Sequence, residues 1–458
     1  MINSPSTLSK TLVPSLPATL NHLVIVAGGR GARLASVIGD SPKVLVPVGG
    51  KPVLQHQLEL AAATGIEEVT IFAGHLAEKI HDFIGDGSRF GLKVRILTEK
   101  DPMGNAGAVL QSLDLLPEHF LVVYGDLMLA VDLRRIAKLH MDREADLTIL
   151  VHPNDHPQDS DLVETDADDW VTAIHACPHP PDQCFDNLVN GALYVVRRES
   201  LRPWSAFLGK QDFTKNIMSG LVANGGRVLA YRSSEYLKDI GTPSRLQTAE
   251  GDWQAGRISL QKFGIGQPAV FLDRDGTLCV EKGHLRTPEE LELLPGVGST
   301  LRTLRQAGFC LVVLTNQPVI ARGEATEREV AAIHRRLAWE IGKEGAYLDA
   351  IYVCPHHPDR GFPGERVELK TRCECRKPGT KLFEQACQDL AVDAANSWMI
   401  GDQSRDIEMA RRASLRSILV QTGAAGRDGQ YSASPDHVAE DLTAAAAVIL
   451  QSKQAKAL

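Results

Sequence analysis

Hydrophobic and polar positions along this chain fall into repeated blocks. Short apolar runs read as strands: HLVIVA at 22–27, EVTIFAG at 68–74, KVRILTE at 93–99, HFLVVYGD at 119–126, DLTILV at 146–151 and GALYVV at 191–196. Between them, stretches such as LQHQLELAAATG at 54–65 carry helical periodicity. Strands alternating with helices predict a mostly parallel sheet covered on both faces. The pattern lapses over EGDWQAGRISLQKFGIGQP at 250–268 and resumes with PAVFLDRDGTL. FCLVVLTNQ at 309–317, DAIYVCPH at 349–356 and SWMIGDQ at 397–403 read as further strand ends, with helical EREVAAIHRRLAWEIGKEG at 327–345 between two of them. The expectation is an α/β protein of two Rossmann-like three-layer domains, 22–250 and 267–445. A linker spans 251–266, and tails cover 1–21 and 446–458. The two halves share an architecture class but no internal repeat.

Composition narrows the function classes. A formal charge of −8 argues against a general nucleic-acid or membrane-surface binder. No apolar run approaches the length that spans a bilayer, and the N-terminal residues lack the continuous apolar core of a secretory signal. A cytoplasmic protein is expected. Of the eight cysteines, Cys354, Cys373 and Cys375 fall in one segment with His356. In a reducing compartment such a cluster points to metal rather than disulfides.

Ligands of such sheets bind beyond the carboxyl ends of the strands, where the glycine loop at 28–31 and Asp126 are expected. Gly28, Gly29 and Gly31 let backbone N–H groups approach phosphate closely, and Arg33 and Lys43 add cations. Lys43 is followed by Pro47, Gly50, Lys51 and Pro52. Further on come EKDPMGNAGAVL at 99–110, YGDL at 124–127, VNGALYV at 189–195 and LKDIGTPSRL at 237–246. In this order the segments resemble the sugar-1-phosphate nucleotidyltransferase family over roughly 22–248. The resemblance implies that Gly104, Asn105, Ala106 and Gly107 contact the nucleotide base and that Asp126 and Asp239 hold Mg²⁺. It also implies that Glu164 and Asn190 hold the sugar. The chain departs from the family pattern at GARL, at Asn105, and at ACPHPPD (176–182), where the family's Glu-Lys would stand.

In the second half, DRDGT follows an apolar strand. Two carboxylates at i and i+2 leave the strand on one side, so that one can attack phosphorus while the other handles a proton. Thr315 ends the next strand, Lys377 sits in CRKPGTK, and Asp402 and Asp406 sit in GDQSRD. This set resembles the haloacid dehalogenase phosphatase superfamily. The resemblance implies that Asp273 is the nucleophile and Asp275 the acid and base. Mg²⁺ would lie on Asp273, Asp402 and the backbone carbonyl of Asp275. Thr315, Asn316 and Lys377 would bind the phosphoryl group, with Asp406 either supporting the metal site or serving as a helix N-terminal charge.

Three thiolates and one imidazole, Cys354, His356, Cys373 and Cys375, have the composition of structural zinc, with His357 a competing ligand. Such a site would fix the loop that carries Arg376 and Lys377. Together with DRDGT and the TNQ…ARG segment at 315–323, this pattern resembles the D-glycero-D-manno-heptose 1,7-bisphosphate phosphatases, which have little or no cap. That resemblance makes Arg322 and Arg376 candidates for the distal phosphate. Pro318, Val319 and Gln403 depart from the family pattern. Histidinol-phosphate phosphatases carry the same zinc loop. A bifunctional enzyme follows, with heptose phosphates and an NTP, GTP by resemblance to the heptose 1-phosphate guanylyltransferases, as its partners. The alternative is a phosphatase with a first half that binds nucleotide or sugar phosphate without catalysis.

Overall fold

The computed structural model describes residues 14–457 apart from 30, 100, 181–182, 208 and 263–264. The first thirteen residues of the expected tail, residues 263 and 264 of the expected linker, 181 and 182 of ACPHPPD, and Leu458 lie outside them. The chain divides into two compact units. One comprises Met1–His152, Asp161–Ala176 and Asn190–Gly264. The other comprises Pro153–Ser160, Cys177–Val189 and Ile265–Leu458.

The first unit is built on β1 (His22–Ala27), β2 (Glu68–Ala73), β3 (Lys93–Thr98), β4 (His119–Tyr124), β5 (Leu147–His152), β6 (Leu162–Thr165), β7 (Val171–His175), β8 (Val189–Arg197) and β9 (Val228–Arg232). They form one sheet in the order β7-β6-β8-β4-β1-β2-β3, with β5 joined to β8 and β9. The β1–β4, β1–β2, β2–β3 and β5–β9 pairs are parallel. β8 runs antiparallel to β4, and β7 antiparallel to β6, so the sheet, expected to be mostly parallel, is mixed. Leu23, Val24 and Ile25 in β1 are buried on both faces, which is why this strand reads as an unbroken apolar run.

Parallel pairing of β1 with β4 continues through the Gly125 N–H to the Val26 carbonyl (2.9 Å). The glycine loop after β1 and Asp126 after β4 therefore leave the sheet side by side. A separate two-stranded ribbon, Leu127–Leu129 with Leu237–Asp239, sets Asp239 opposite Leu127. The segment expected to be a linker starts as helix instead. Pro243–Gln254 and Arg257–Leu260 are helical, and Ile258 and Ala249 are buried in the first unit's core with Val46 and Val48.

The second unit holds β10 (Ala269–Leu272), β11 (Cys310–Asn316), β12 (Ala350–Cys354), β13 (Trp398–Gly401), β14 (Arg416–Val420) and β15 (His437–Ala439). All pairs are parallel, in the order β12-β11-β10-β13-β14-β15. Alternate residues of these strands feed two cores. Val270, Leu272, Leu311, Val313 and Ile400 pack with Leu301, Leu337 and Ile449. Phe271, Val312, Leu314 and Met399 pack with Phe383 and Met409. The period of two thus builds three layers, each buried aliphatic side chain contributing about 1.5–3 kcal/mol. The strand order reverses between β10 and β13, and a ligand site belongs beyond their carboxyl ends. The C-terminal helix runs from Leu442 to Ala457 and buries Ala446 and Ile449, so core positions continue where a tail was expected to begin.

Candidate active sites

Asp273 directly follows β10 and Asp402 directly follows β13. The Asp273 N–H donates to the Ile400 carbonyl at 3.0 Å, tying the two strand ends together. The carboxylates of Asp273, Asp402 and Asp406 lie within 4.8 Å of one another, all buried. Lys377 Nζ stands 2.8 Å from Asp273 and 2.7 Å from Asp406. Burial raises the Asp273 carboxyl to about 6, against the pull of Lys377. Burial, then repulsion from Asp273 and Asp406, raises Asp402 to about 8. Three buried carboxyls thus share one ammonium, and Asp402 Oδ1 has no hydrogen-bond partner. That donor set, rich in oxygen and short of positive charge, fits a hard divalent cation.

Two glycines make room for Asp402. Gly276 (φ +76°) and Gly423 (φ +78°) both press against its carboxylate, where a Cβ would collide. The Ala424 N–H donates to Asp402 Oδ2 at 2.7 Å.

Asp275 is held by a separate set of partners. Arg274, fully buried, forks its carboxylate from Nε (3.0 Å) and Nη2 (2.8 Å). Gln317 Nε2 donates to Asp275 Oδ2 and to Thr315 Oγ1, both at 2.9 Å. Arg274 Nη1 meets His334 Nε2 at 3.1 Å, and burial, helped by Arg274, lowers His334 to about 3, so the ring is neutral and accepts. The Asn316 side chain brackets the Lys377 backbone, donating to its carbonyl (3.1 Å) and accepting from its N–H (2.9 Å). Asn316 therefore positions Lys377 through the backbone.

The sulfur cluster closes as its composition implies. Cys375 Sγ lies 3.3 Å from Cys354 Sγ, 3.2 Å from Cys373 Sγ and 3.2 Å from His356 Nδ1, and Cys354 Sγ lies 3.6 Å from Cys373 Sγ. The edge of a tetrahedron with 2.3 Å metal–sulfur bonds is about 3.8 Å. The four donors fit one metal ion. His357 stands outside this set, its Nδ1 accepting from the Asp359 N–H at 3.2 Å.

A cleft of about 1240 Å³ opens over Asp273 and Asp275 and is lined by Arg322, Arg376, Lys377 and Arg405. Arg322 lies over the Phe362 ring at 4.4 Å, and Arg376 Nη1 donates to the His356 carbonyl at 3.4 Å. Burial, then Arg405 and later Arg322, disfavours charge on Arg376.

In the first unit, Gly28 packs against Glu99, whose Oε1 would lie 2.7 Å from a Cβ there, while Gly29 faces open space and Gly31 takes φ +62°. Lys43 Nζ pairs with Asp126. Asp239 receives both of its Arg245 bonds from Nη1 (2.9 and 3.0 Å) and one from the Gly241 N–H (3.0 Å). Burial raises the Asp239 carboxyl, but Arg245, the Gly241 N–H and Lys43 outweigh it and hold the group below its ordinary value. Asp239, Lys43 and Arg33 converge on Gly241: a Cβ there would lie 2.9, 3.2 and 3.5 Å from their polar atoms.

Other sugar-side and base-side expectations meet internal partners. Asn105 donates to Asp212 (2.8 Å) and accepts from the Phe213 N–H (2.7 Å). A Cβ on Gly104 would run into the Gln211 carbonyl, which accepts from the Ala106 N–H at 3.1 Å, and Gly107 abuts Met103. Asn190 Nδ2 donates to Tyr194 and Thr214, and Glu164 lies 3.4 Å from His175.

The nucleotidyl transferase family model matches residues 22–255, just over half of the chain. The chain belongs to that family. A HAD-hydrolase-like model matches 374–445. A D-glycero-beta-D-manno-heptose-1,7-bisphosphate 7-phosphatase of Haemophilus ducreyi is 39% identical over 163 residues, 35% of this chain and 87% of that protein. The enzyme of the same description from Escherichia coli K12 is 40% identical over 34% of this chain and 80% of that protein. The chain belongs to their family as well. The crystal structure of HddC from Yersinia pseudotuberculosis is 25% identical, covering 51% of this chain and 99% of that one at a TM-score of 0.44. The protein is therefore an enzyme with a nucleotidyltransferase domain and a HAD-type phosphatase domain. No helix among the described residues is long and apolar enough to cross a membrane.

Within this nucleotidyltransferase-phosphatase, sequence reasoning passed over Arg274, Gln317, Arg245 and Arg405. Arg274 and Gln317 stood inside the quoted DRDGT and TNQ motifs. Arg245 stood inside LKDIGTPSRL, in the first turn of the helix that follows the strand ending at Asp239. Their partners appear only on folding.

Proposed function

We propose that this protein is a bifunctional enzyme of nucleotide-activated heptose synthesis. Its second unit removes the C7 phosphate of D-glycero-D-manno-heptose 1,7-bisphosphate. Its first unit transfers a guanylyl group from GTP to the resulting heptose 1-phosphate and releases pyrophosphate. The observation that carries the reading is the buried Asp273–Lys377–Asp406–Asp402 cluster at the strand-order reversal, in a chain that over 34–35% of its length is 39–41% identical to heptose-bisphosphate 7-phosphatases.

Asp273 attacks phosphorus, and the bond from phosphorus to the C7 oxygen breaks as the aspartyl-phosphate forms. Asp275 donates a proton to the departing oxygen, then takes one from the water that hydrolyses the aspartyl-phosphate to inorganic phosphate. Arg274 and Gln317 keep Asp275 directed at that position, and Lys377 and Thr315 offset charge on the phosphoryl oxygens. Mg²⁺ would be held by Asp273, Asp402 and the Asp275 carbonyl, with Asp406 beside them, and would supply Lewis-acid neutralisation of the phosphate. Zinc in the Cys354–His356–Cys373–Cys375 set would brace the loop bearing Arg376 and Lys377.

In the first unit, Gly28, Gly29 and Gly31 would present N–H groups to the triphosphate, with Arg33 and Lys43 offsetting its charge. Asp126 and Asp239 would hold a second Mg²⁺. Gly104, Asn105 and Gly107 shape the base side, and Glu164 and Asn190 the sugar side. A cytoplasmic location fits both substrates.

A panel of nucleoside triphosphates against both anomers of heptose 1-phosphate tests the transferase. Pyrophosphate release with GTP supports it, and none with any triphosphate reduces the first unit to a binding module. Faster turnover of histidinol phosphate than of the heptose bisphosphate would overturn the phosphatase assignment.

A further inference from the structure

The phosphatase cleft gathers more cationic side chains than one phosphoryl group needs. Lys377 is committed to Asp273 and Asp406. Arg322, Arg376 and Arg405 line the same cleft. Arg322 is held by the Phe362 ring and by His284, 3.3 Å from its Nη1, and Arg376 by a carbonyl. Arg405 differs from its neighbours on the helix Ser404–Arg412. Arg411 and Arg412 both pair with Glu408. The Nε of Arg405, by contrast, is buried without a hydrogen-bond partner, as is that of Arg322. A buried guanidinium donor left unpaired is costly, and a cleft that gathers two of them favours an anion. Gln403, next to Asp402, also lines the cleft but is neutral, and Arg412, which lines it too, is paired with Glu408, so Arg405 is the arginine of this helix left available to an anion.

We propose that Arg405 is a specificity-determining residue of the phosphatase, binding the phosphate that is not removed. The planar fork of arginine suits two oxygens of one phosphate. Arg376 and Arg322 complete the set. The inference rests on the bisphosphate reading of the same site, since a substrate with one phosphate gives Arg405 nothing to bind.

The experiment compares kcat/KM for D-glycero-D-manno-heptose 1,7-bisphosphate with that for p-nitrophenyl phosphate, in the full-length chain with Mg²⁺. In Arg405→Ala the ratio is expected to fall about ten- to a hundredfold, through KM for the bisphosphate, the size of one charged hydrogen bond. Arg405→Lys should recover part of it, and Arg405→Glu should lower it further. These variants also keep the test open should the alanine form not fold. A ratio unchanged in Arg405→Ala and Arg405→Glu, in a wild type that prefers the bisphosphate, overturns the role of Arg405 alone. A wild type with no preference for the bisphosphate overturns the substrate reading, and the proposal with it.

Discussion

Lys377 Nζ lies 2.8 Å from Asp273 Oδ1, and neither side chain is more than a tenth exposed. The ammonium is the counter-charge for carboxylates that would otherwise repel one another in a dry interior. Lys377→Met should therefore cost about 3–5 kcal/mol of stability, the usual cost of stranding a buried ion partner. Phosphatase kcat should fall about 10²–10³-fold. Urea melts and phosphate release check both. Stability close to wild type would show that the lysine is not the structural counter-ion.

Gly276 and Gly283 both take positive φ, +76° and +83°, but a Cβ on Gly276 runs into Asp402 and one on Gly283 meets nothing within 4 Å. Gly283→Ala should cost about 1 kcal/mol, the backbone penalty alone. Gly276→Ala should cost about 2 kcal/mol more and depress phosphatase activity by displacing Asp402. Equal losses in the two denaturation curves would remove the close approach as the reason for Gly276.

Cys373→Ser takes one thiolate from a four-donor set. Metal analysis should find a zinc equivalent in the wild type and a loss of it in the variant, with a lower Tm. Zinc retained at full stoichiometry would refute this ligand set.

Asp239 is held by Arg245 and faces Lys43 and Arg33 around Gly241. Asp239→Asn should lower pyrophosphate release about a hundredfold or more while phosphate release from the bisphosphate stays within about twofold. Parallel loss of both activities would mean that the substitution unfolds the chain rather than disabling one site.

His140 is fully buried between His119 and Thr148, at 3.1 and 2.8 Å. Burial, with help from His119 and Arg197, lowers it from 6.5 to about 3. The unfolded chain binds this proton below pH 6.5 and the folded chain does not, so stability is intact above pH 6.5 and is lost as pH falls from there towards 3. The loss is about 1.4 kcal/mol per pH unit. In His140→Gln the slope of unfolding free energy between pH 6 and 4 should be shallower by that amount. An identical slope would mean that His140 titrates normally.

Much of the architecture is legible in local pattern. HLVIVA, EVTIFAG and FCLVVLTNQ became strands within a residue or two of their apolar limits, because a parallel strand buried on both faces has to be apolar throughout. The antiparallel entry of β8 and the helices inside 251–260 were not legible. Strand direction carries no mark in a short apolar run, and a weakly periodic helix is stabilised by the core it meets.

The chemistry divides the same way. Which residues can attack phosphorus, carry a proton or bind a soft metal follows from residue type and spacing: Asp273 and Asp275 two apart, and the Cys354–His356 and Cys373–Cys375 pairs. The sequence determined those groups because their reactivity is a local covalent property. The tertiary structure alone decided which charges share space. It put Lys377 between Asp273 and Asp406, Arg274 on Asp275, Arg245 on Asp239 and Arg405 beside Arg376. Electrostatic partnership depends on distance and burial, and chain separation constrains neither until the strands are laid in register.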